Sequence, residues 1–248
     1  MRPGFFYAPM IVYSEPKEQF SNDVLANEIV PKVLERIHQR LGFSVGESEQ
    51  RSFRNSLIYM DKVLQDPEIP SDSGISIEYQ IPQTGKRIDF IVSGRDESSR
   101  SAAILIELKQ WEEAELTNKD GVIRTILGGA WVERPHPSYQ AWSYAALLED
   151  FNETVRTDNI LLKPCAYLHN YSPDDVITNS FYLDHISKAP VFLCPDAVKL
   201  REFIKKFVKH GDSGDLMYRI EHGKISPSKN LADKLASLVA GESGIYHD

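Results

Sequence analysis

Ala102-Ala-Ile-Leu-Ile-Glu-Leu-Lys109 is the stretch on which the fold turns. Ala102 to Ile106 are all apolar, so neither face of a strand here would meet water, and a central strand covered on both sides is predicted. The run then ends in charge. Side chains two apart on a strand point the same way, so Glu107 and Lys109 project together, above Ala103 and Leu105 on the same face. Burying either charge without a counter-charge or a ligand is expensive. The polar end is therefore expected at the edge or mouth of a sheet.

Toward the N-terminus, Ile75–Ile81 and Lys86–Val92 alternate as strands do and flank Pro82-Gln83-Thr84-Gly85, which predicts a β-hairpin. With Ile81 opposite Lys86, counting back three on each strand puts Glu78 opposite Asp89. Carboxylates that close repel unless a cation sits between them. Further upstream, Val24, Leu25, Ile29, Val30, Val33, Leu34 and Ile37 recur at helical spacing across Asn22–Leu41, with Pro31 as a local irregularity. A second helix is expected from Glu47 to Leu64, ended by Pro67, Pro70 and Ser71-Asp-Ser-Gly74. Phe5–Tyr13 is apolar, but Pro9 interrupts it, no small-residue cleavage site follows, and Glu15, Lys17 and Glu18 come next. A short strand or extended arm is expected there rather than a signal peptide.

Toward the C-terminus, Asp120-Gly121 followed by Val122–Leu127 predicts another hairpin, with Gly128-Gly129 a flexible or tight corner. A helix starts near Pro137 and runs through Ser138–Asn152. Strands are expected at Pro164–Leu168 and Ala189–Leu193, and helices at Asp196–Lys209 and Lys229–Ala240. The whole is a mixed α/β domain, with a helical part over 1–70, a catalytic core over 71–195 and helical additions over 196–248.

Composition limits the function. The chain has 248 residues, 42% hydrophobic, enough for a sizeable core. No apolar run approaches the roughly 18 residues of a membrane span, so no membrane partner is expected. Cys165 and Cys194 are the only cysteines; each lies in an apolar, strand-like run, consistent with unpaired thiols and a reducing cytoplasm. The net charge of −8 is awkward for a protein that grips phosphates by bulk electrostatics, though not for one with an acidic metal site. Thr84-Gly85-Lys86 lacks the rest of a phosphate-binding loop, and the histidines have no zinc-ligand spacing. His136 and His169 lie near the ends of core elements, as structural groups or close to a reaction centre. Lys119, Arg124 and Arg134 surround the second hairpin and are candidates for phosphate contact. Lys205, Lys206, Lys209 and His210 form a basic run that reads as a solvated helix face.

Glu78, Asp89 and Glu107 beside Lys109 make an oxygen-rich site suited to magnesium, with the Leu108 carbonyl as a further ligand. Such a metal lowers the pKa of a bound water and stabilises charge on a phosphoryl oxygen, while Lys109 orients or helps deprotonate the water. The plain alternative is that Asp89 caps a turn, Glu107 and Lys109 form a surface ion pair, and Glu78 is a solvated edge residue.

Asp89 followed by Glu107-Leu108-Lys109 on a hydrophobic strand resembles the PD-(D/E)XK nuclease signature. Gln140-Ala-Trp-Ser-Tyr144 is similar to the Gln-x-x-x-Tyr motif of the RecB-like branch, and Gly85-Lys-Arg-Ile-Asp89 to that branch's approach to the metal. Gln140 and Tyr144 share a helix face, within reach of the active-site carboxylates or a substrate phosphate; Tyr139, Trp142 and Tyr144 as a group are expected in the core. Asn55-Ser-Leu, Glu78-Tyr-Gln-Ile-Pro-Gln, Ile106-Glu-Leu-Lys-Gln-Trp, His136-Pro-Ser-Tyr-Gln-Ala-Trp-Ser-Tyr and Ala166-Tyr-Leu-His-Asn-Tyr extend the likeness over nearly the whole chain. They resemble the N-terminal region of bacterial proteins that continue into a Schlafen-like superfamily 1 helicase domain.

The resemblance implies a restriction-endonuclease-like sheet and magnesium, or manganese in its place, held by Glu78, Asp89, Glu107 and Leu108. It implies catalysis by Asp89, Glu107, Lys109, Gln140 and Tyr144 on DNA, with RNA open, a helicase partner, and a role in DNA processing or defence against foreign DNA. A nuclease-fold module that binds nucleic acid or a helicase without cutting is the alternative. Endo- or exonuclease action and a homo-oligomer stay open. Many RecB-like nucleases carry a histidine before the metal-binding aspartate, and none here is equivalent. Glu49, on the second helix, competes with Glu78 as the third acid.

Overall fold

The computed structural model describes residues 11–42 and 44–243. Its elements, in chain order, begin with β1 (Ile11–Pro16), α1 (Lys17–Leu25), α2 (Ile29–Leu41) and α3 (Glu47–Leu64). The strands β2 (Gly74–Gln80), β3 (Arg87–Arg95) and β4 (Ser101–Lys109) follow, then β5 (Ala114–Leu116), β6 (Val122–Leu127) and β7 (Ala130–Pro135). The rest are α4 (Pro137–Phe151), α5 (Glu153–Thr157), β8 (Leu161–Leu168), α6 (Leu183–Lys188), β9 (Val191–Leu193), α7 (Ala197–Phe207), α8 (Asp215–Glu221) and α9 (Lys229–Ser243).

Six strands form a mixed sheet in the order β1-β2-β3-β4-β8-β9. The first four pair antiparallel, while β8 runs parallel to both β4 and β9. The apolar run of β4 is central, as its sequence requires. Ile104 and Ile106 face a layer with Phe20, Val33, Leu57, Met60, Leu200 and Ile204 of α1, α2, α3 and α7. Ala103 and Leu105 face Tyr144, Ala145, Leu148, Met217 and Ile220 of α4 and α8. A fully buried side chain of this kind stabilises by about 1.5–3 kcal/mol. Strands β5, β6 and β7 form a separate three-stranded sheet.

The hairpin register is as counted: Ile77 opposes Phe90 and Tyr79 opposes Ile88, which leaves Glu78 across from Asp89. The row is strained. Glu78 has φ 56°, the left-handed region that costs a non-glycine residue roughly 1–2 kcal/mol. On either side of that row the packing changes face, Ile77 and Phe90 joining one layer and Tyr79 and Ile88 the other.

Several expectations need correction. The single helix over Asn22–Leu41 is two, because Asn27 at φ 58° breaks it. Pro31 falls in the first turn of α2, where no intrahelical N–H bond is lost. Gly128 and Gly129, at φ 59° and 80°, are the tight turn joining β6 to β7, as a two-residue hairpin with both centres left-handed requires. The Ala189–Leu193 strand shortens to Val191–Leu193, and the Asp196–Lys209 helix to Ala197–Phe207. Cys194 is exposed, at the start of a 3-10 turn after β9, whereas Cys165 is buried in β8. Of the Phe5–Tyr13 arm, residues 5–10 lie outside the described residues and the rest is edge strand β1. Among the described residues no helix is long and apolar enough to cross a membrane.

Candidate active site

Strand β4 delivers Glu107 and Lys109 to the end of the sheet, the β2–β3 hairpin delivers Glu78 and Asp89, and α4 delivers Gln140 and Tyr144. Glu107 is only 2% exposed. Its Oε1 accepts from Lys109 Nζ and from Gln140 Nε2, each at 2.6 Å. Gln140 Nε2 also lies 3.0 Å from the Tyr144 hydroxyl, to which it donates. Glu107 Oε2 is buried with no hydrogen-bond partner, and the Asp89 carboxyl lies close enough to Glu107 that a proton held by Glu107 would bridge the two. Asp89 accepts the backbone N–H of Leu108 at 2.8 Å, and Glu78 is held by Arg87 at 2.9 Å.

The carboxyls of Glu78, Asp89 and Glu107 are all raised in pKa, with burial the first cause. The charge of Asp89 adds to the shift at Glu78 and Glu107, and Glu49 pushes Glu78 further. Burial opposes the Lys109 ammonium, but Glu107 and Asp89 outweigh it and raise its pKa. Without a metal, Lys109 is held as a cation by these carboxyls, suited to orienting water or stabilising negative charge.

The plain alternative fails on burial. Glu107 and Lys109 form an inward pair, with Glu107 enclosed; Asp89 lies in a strand rather than a turn; Glu78 is ion-paired and mostly enclosed. A cavity of about 240 Å³ opens beside them, lined by Glu49, Ser52, Phe53, Ser56, Glu78, Asp89, Leu108 and Lys109. Both competing acids, Glu49 of α3 and Glu78 of β2, thus face the same space.

Among the described residues no three His, Cys, Asp or Glu side chains are already grouped as a metal cluster. Arg87 and Lys109 each pair with one of the carboxylates, Glu78 and Glu107. The donor set nevertheless suits a hard cation, being rich in oxygen and leaving Glu107 Oε2 without a donor beside a second carboxyl.

Other expected residues lie elsewhere. His136 is fully buried, accepting from Ser138 N with Nδ1, bonding the Ile177 carbonyl through Nε2 and stacking on Tyr182. It caps α4, and its polar contacts are to Ser138 and Ile177 rather than to the carboxyl cluster. Burial, its first cause, lowers its pKa to about 4. Tyr144 is buried as expected, but Tyr139 is exposed and Trp142 half-buried, donating to His185. Lys119 and Arg124 pair with Glu133 and Glu115 on the small sheet, and Arg134 donates to the Glu133 carbonyl. Lys205 is taken up by Asp66, Glu68 and Glu202, and Lys206 lies over the Phe207 ring.

Two contributors went unassigned in the sequence. Arg87 had a signal, since it lies two before Asp89 on the same strand. Ser56 had only its place in the Asn55-Ser-Leu motif, with no role attached: it meets the site through its wall and, behind it, bonds His169 just after β8. Comparison of the chain with protein families, curated proteins and solved structures finds no match.

Proposed function

We propose that this chain is a magnesium-dependent nuclease of the PD-(D/E)XK type, in its RecB-like branch, hydrolysing phosphodiester bonds of DNA. The observation that carries the reading is Glu107: a buried carboxyl with one oxygen bound by Lys109 and Gln140, the other without a donor, and the Asp89 carboxyl close beside it. The mixed sheet between helical layers is compatible with a restriction-endonuclease-like fold, and a helicase domain or subunit is the proposed partner.

Glu107, Asp89 and Glu78, with the Leu108 carbonyl, would hold the ion. Bound there, magnesium would acidify a water and offset charge on the phosphoryl group. The chain's own residues do the rest. Lys109 places an ammonium at the cavity wall, where negative charge grows on the phosphoryl oxygens. The Leu108 N–H fixes the Asp89 carboxyl, and the Gln140 amide fixes Glu107 while bridging it to Tyr144. Rigid placement of this kind lowers the barrier because orientation is settled before reaction.

The test is cleavage of circular and linear DNA, each single- and double-stranded, with magnesium, manganese or chelator, beside Lys109→Ala. Metal-dependent cutting lost in the variant is expected. A folded protein that binds magnesium yet cuts nothing would be the non-cutting module, and one that binds no metal would refute the site.

A further inference from the structure

Hydrolysis must take a proton from the attacking water. Glu78, Asp89 and Glu107 are the ligands of the proposed ion, and Lys109 already donates to Glu107. Glu49 and Ser52 also line the cavity, and beside them a chain of hydrogen-bonded polar groups reaches it from behind. Ser56, in the wall beside Asp89 and Lys109, lies 2.9 Å from His169 Nε2, and His169 Nδ1 lies 3.2 Å from Asn170 Oδ1. His169 and Ser56 are both buried. They are 113 residues apart in sequence, brought together because α3 packs over the end of β8.

The hydrogen placement follows from the partners. Asn170 Oδ1 can only accept, so the ring hydrogen is on Nδ1 and Nε2 is bare. Nε2 must then accept the Ser56 hydroxyl hydrogen, so the oxygen of Ser56, a residue of the cavity wall, keeps its capacity to accept. The sequence is hydroxyl, imidazole, orienting group, the arrangement that lets a serine pass on a proton.

We propose that Ser56, His169 and Asn170 are the proton-accepting relay of this site, taking the proton of the attacking water through the Ser56 hydroxyl. The proposal rests on the hydrolytic reading above. In the step, a water proton moves to Ser56 Oγ as the serine's own proton moves to His169 Nε2. The water oxygen bonds phosphorus, the bond from phosphorus to the leaving oxygen breaks, and the leaving oxygen takes a proton from solvent. His169 then returns its proton by the same path. Ser56 is the catalytic residue; His169 and Asn170 act through it.

The surroundings suit an acceptor. Tyr59 of α3 stacks on the His169 ring at 4.5 Å, and Tyr167 of β8 meets it edge-on at 5.9 Å. Ser56 and Asn170 complete its polar contacts. Burial lowers its pKa and Asn170 partly offsets this, so the ring is neutral and able to accept at neutral pH.

The test uses the full chain with Ser56→Ala, Ser56→Thr and His169→Ala. Ser56→Ala should lose ~100-fold in kcat, with KM nearly unchanged, and Ser56→Thr should recover most of it. The wild-type kcat should show an acid limb below the ordinary histidine range that Ser56→Ala lacks. Added imidazole should restore His169→Ala in proportion to its neutral fraction. Independently of activity, 15N spectra of metal-free protein should show the Nδ1–H tautomer of His169. Spectra showing the Nε2–H tautomer, or Ser56→Ala and His169→Ala cutting like wild type, would overturn the relay and leave the nuclease standing. A wild type that cuts nothing with either metal would remove both.

Discussion

Asp23 and Glu107 are each 2% exposed, and each has a lysine close by, Lys32 at 2.7 Å and Lys109 at 2.6 Å, although Glu107 lies deeper in the protein than Asp23. Their acidities shift in opposite directions. Around Asp23, Lys32 and Gln19 donate to Oδ1 and Tyr13 to Oδ2. Burial opposes that charge, but these donors outweigh it and hold the carboxyl below its ordinary range. Around Glu107 both donors crowd one oxygen, the other is bare, and a second carboxyl lies alongside, so burial prevails and the pKa rises. Burial and a salt bridge therefore do not tell structure from function. Depth and the distribution of donors do: Asp23 is fully supplied near the surface, whereas Glu107 lies deeper and is supplied on one oxygen only, as the proposed cation site requires.

The sharpest way to break the comparison is by activity. Asp89→Asn and Glu107→Gln should each lose at least ~100-fold in the rate of metal-dependent DNA cleavage. Asp23→Asn should keep the wild-type rate per folded molecule, measured in the same assay with folding followed by circular dichroism. Equal losses in both clusters would mean that the difference in donors has no functional content.

Stability should divide the clusters the other way. Asp23→Ala strips Tyr13 and Lys32 of their shared acceptor, and a buried hydroxyl and a broken partly buried pair should cost about 2–4 kcal/mol. That is a fall in Tm of roughly 5–15 °C for a chain of this size. Glu107→Gln keeps an acceptor for Lys109 and Gln140 and offers Asp89 an N–H in place of a repelling oxygen. Without metal it should gain about 1–2 kcal/mol, the exchange of function for stability seen when an active site is relieved. Thermal unfolding in chelator measures both, and added magnesium should raise Tm for wild type but not for Glu107→Gln.

The two clusters also differ in how far the sequence showed them. Glu107 and Lys109 were legible because strand periodicity puts residues two apart on one face and a buried run makes their charge conspicuous. Gln140 and Tyr144 were legible by the same logic on a helix, and Glu78 with Asp89 by counting from the turn. Each of these depends on local geometry. Asp23 was not legible, because it read as one polar residue inside a helix that in fact breaks at Asn27. Its partners lie within ten residues, Tyr13 on β1, Gln19 on its own helix and Lys32 on α2, but they meet only where three elements pack together. Ser56 with His169, β7, and α8 share that difficulty: none has a strong period, and tertiary packing alone determines their place.

The pH dependence of those stability differences is the smallest effect and the finest test. Asp23 has a lowered pKa in the folded chain, so its contribution is present above the ordinary aspartate range and is lost as pH falls through the folded value. Acidification from pH 8 to 5 should therefore leave the gap between wild type and Asp23→Ala unchanged, and the gap should narrow only below about pH 4. Glu78, Asp89 and Glu107 have raised pKa values; what their carboxyls contribute is fully present below the ordinary carboxylate range and is lost as pH rises through the folded values. In chelator the advantage of Glu107→Gln should then be greatest near pH 8 and shrink to below roughly 0.5 kcal/mol near pH 5, because a proton on the carboxyl does what the amide does. Unfolding in urea across that range reads both gaps. If the gap for Glu107→Gln were flat with pH, the bare oxygen beside Asp89 would carry no electrostatic strain, and the cluster would have no more need of a cation than Asp23 has.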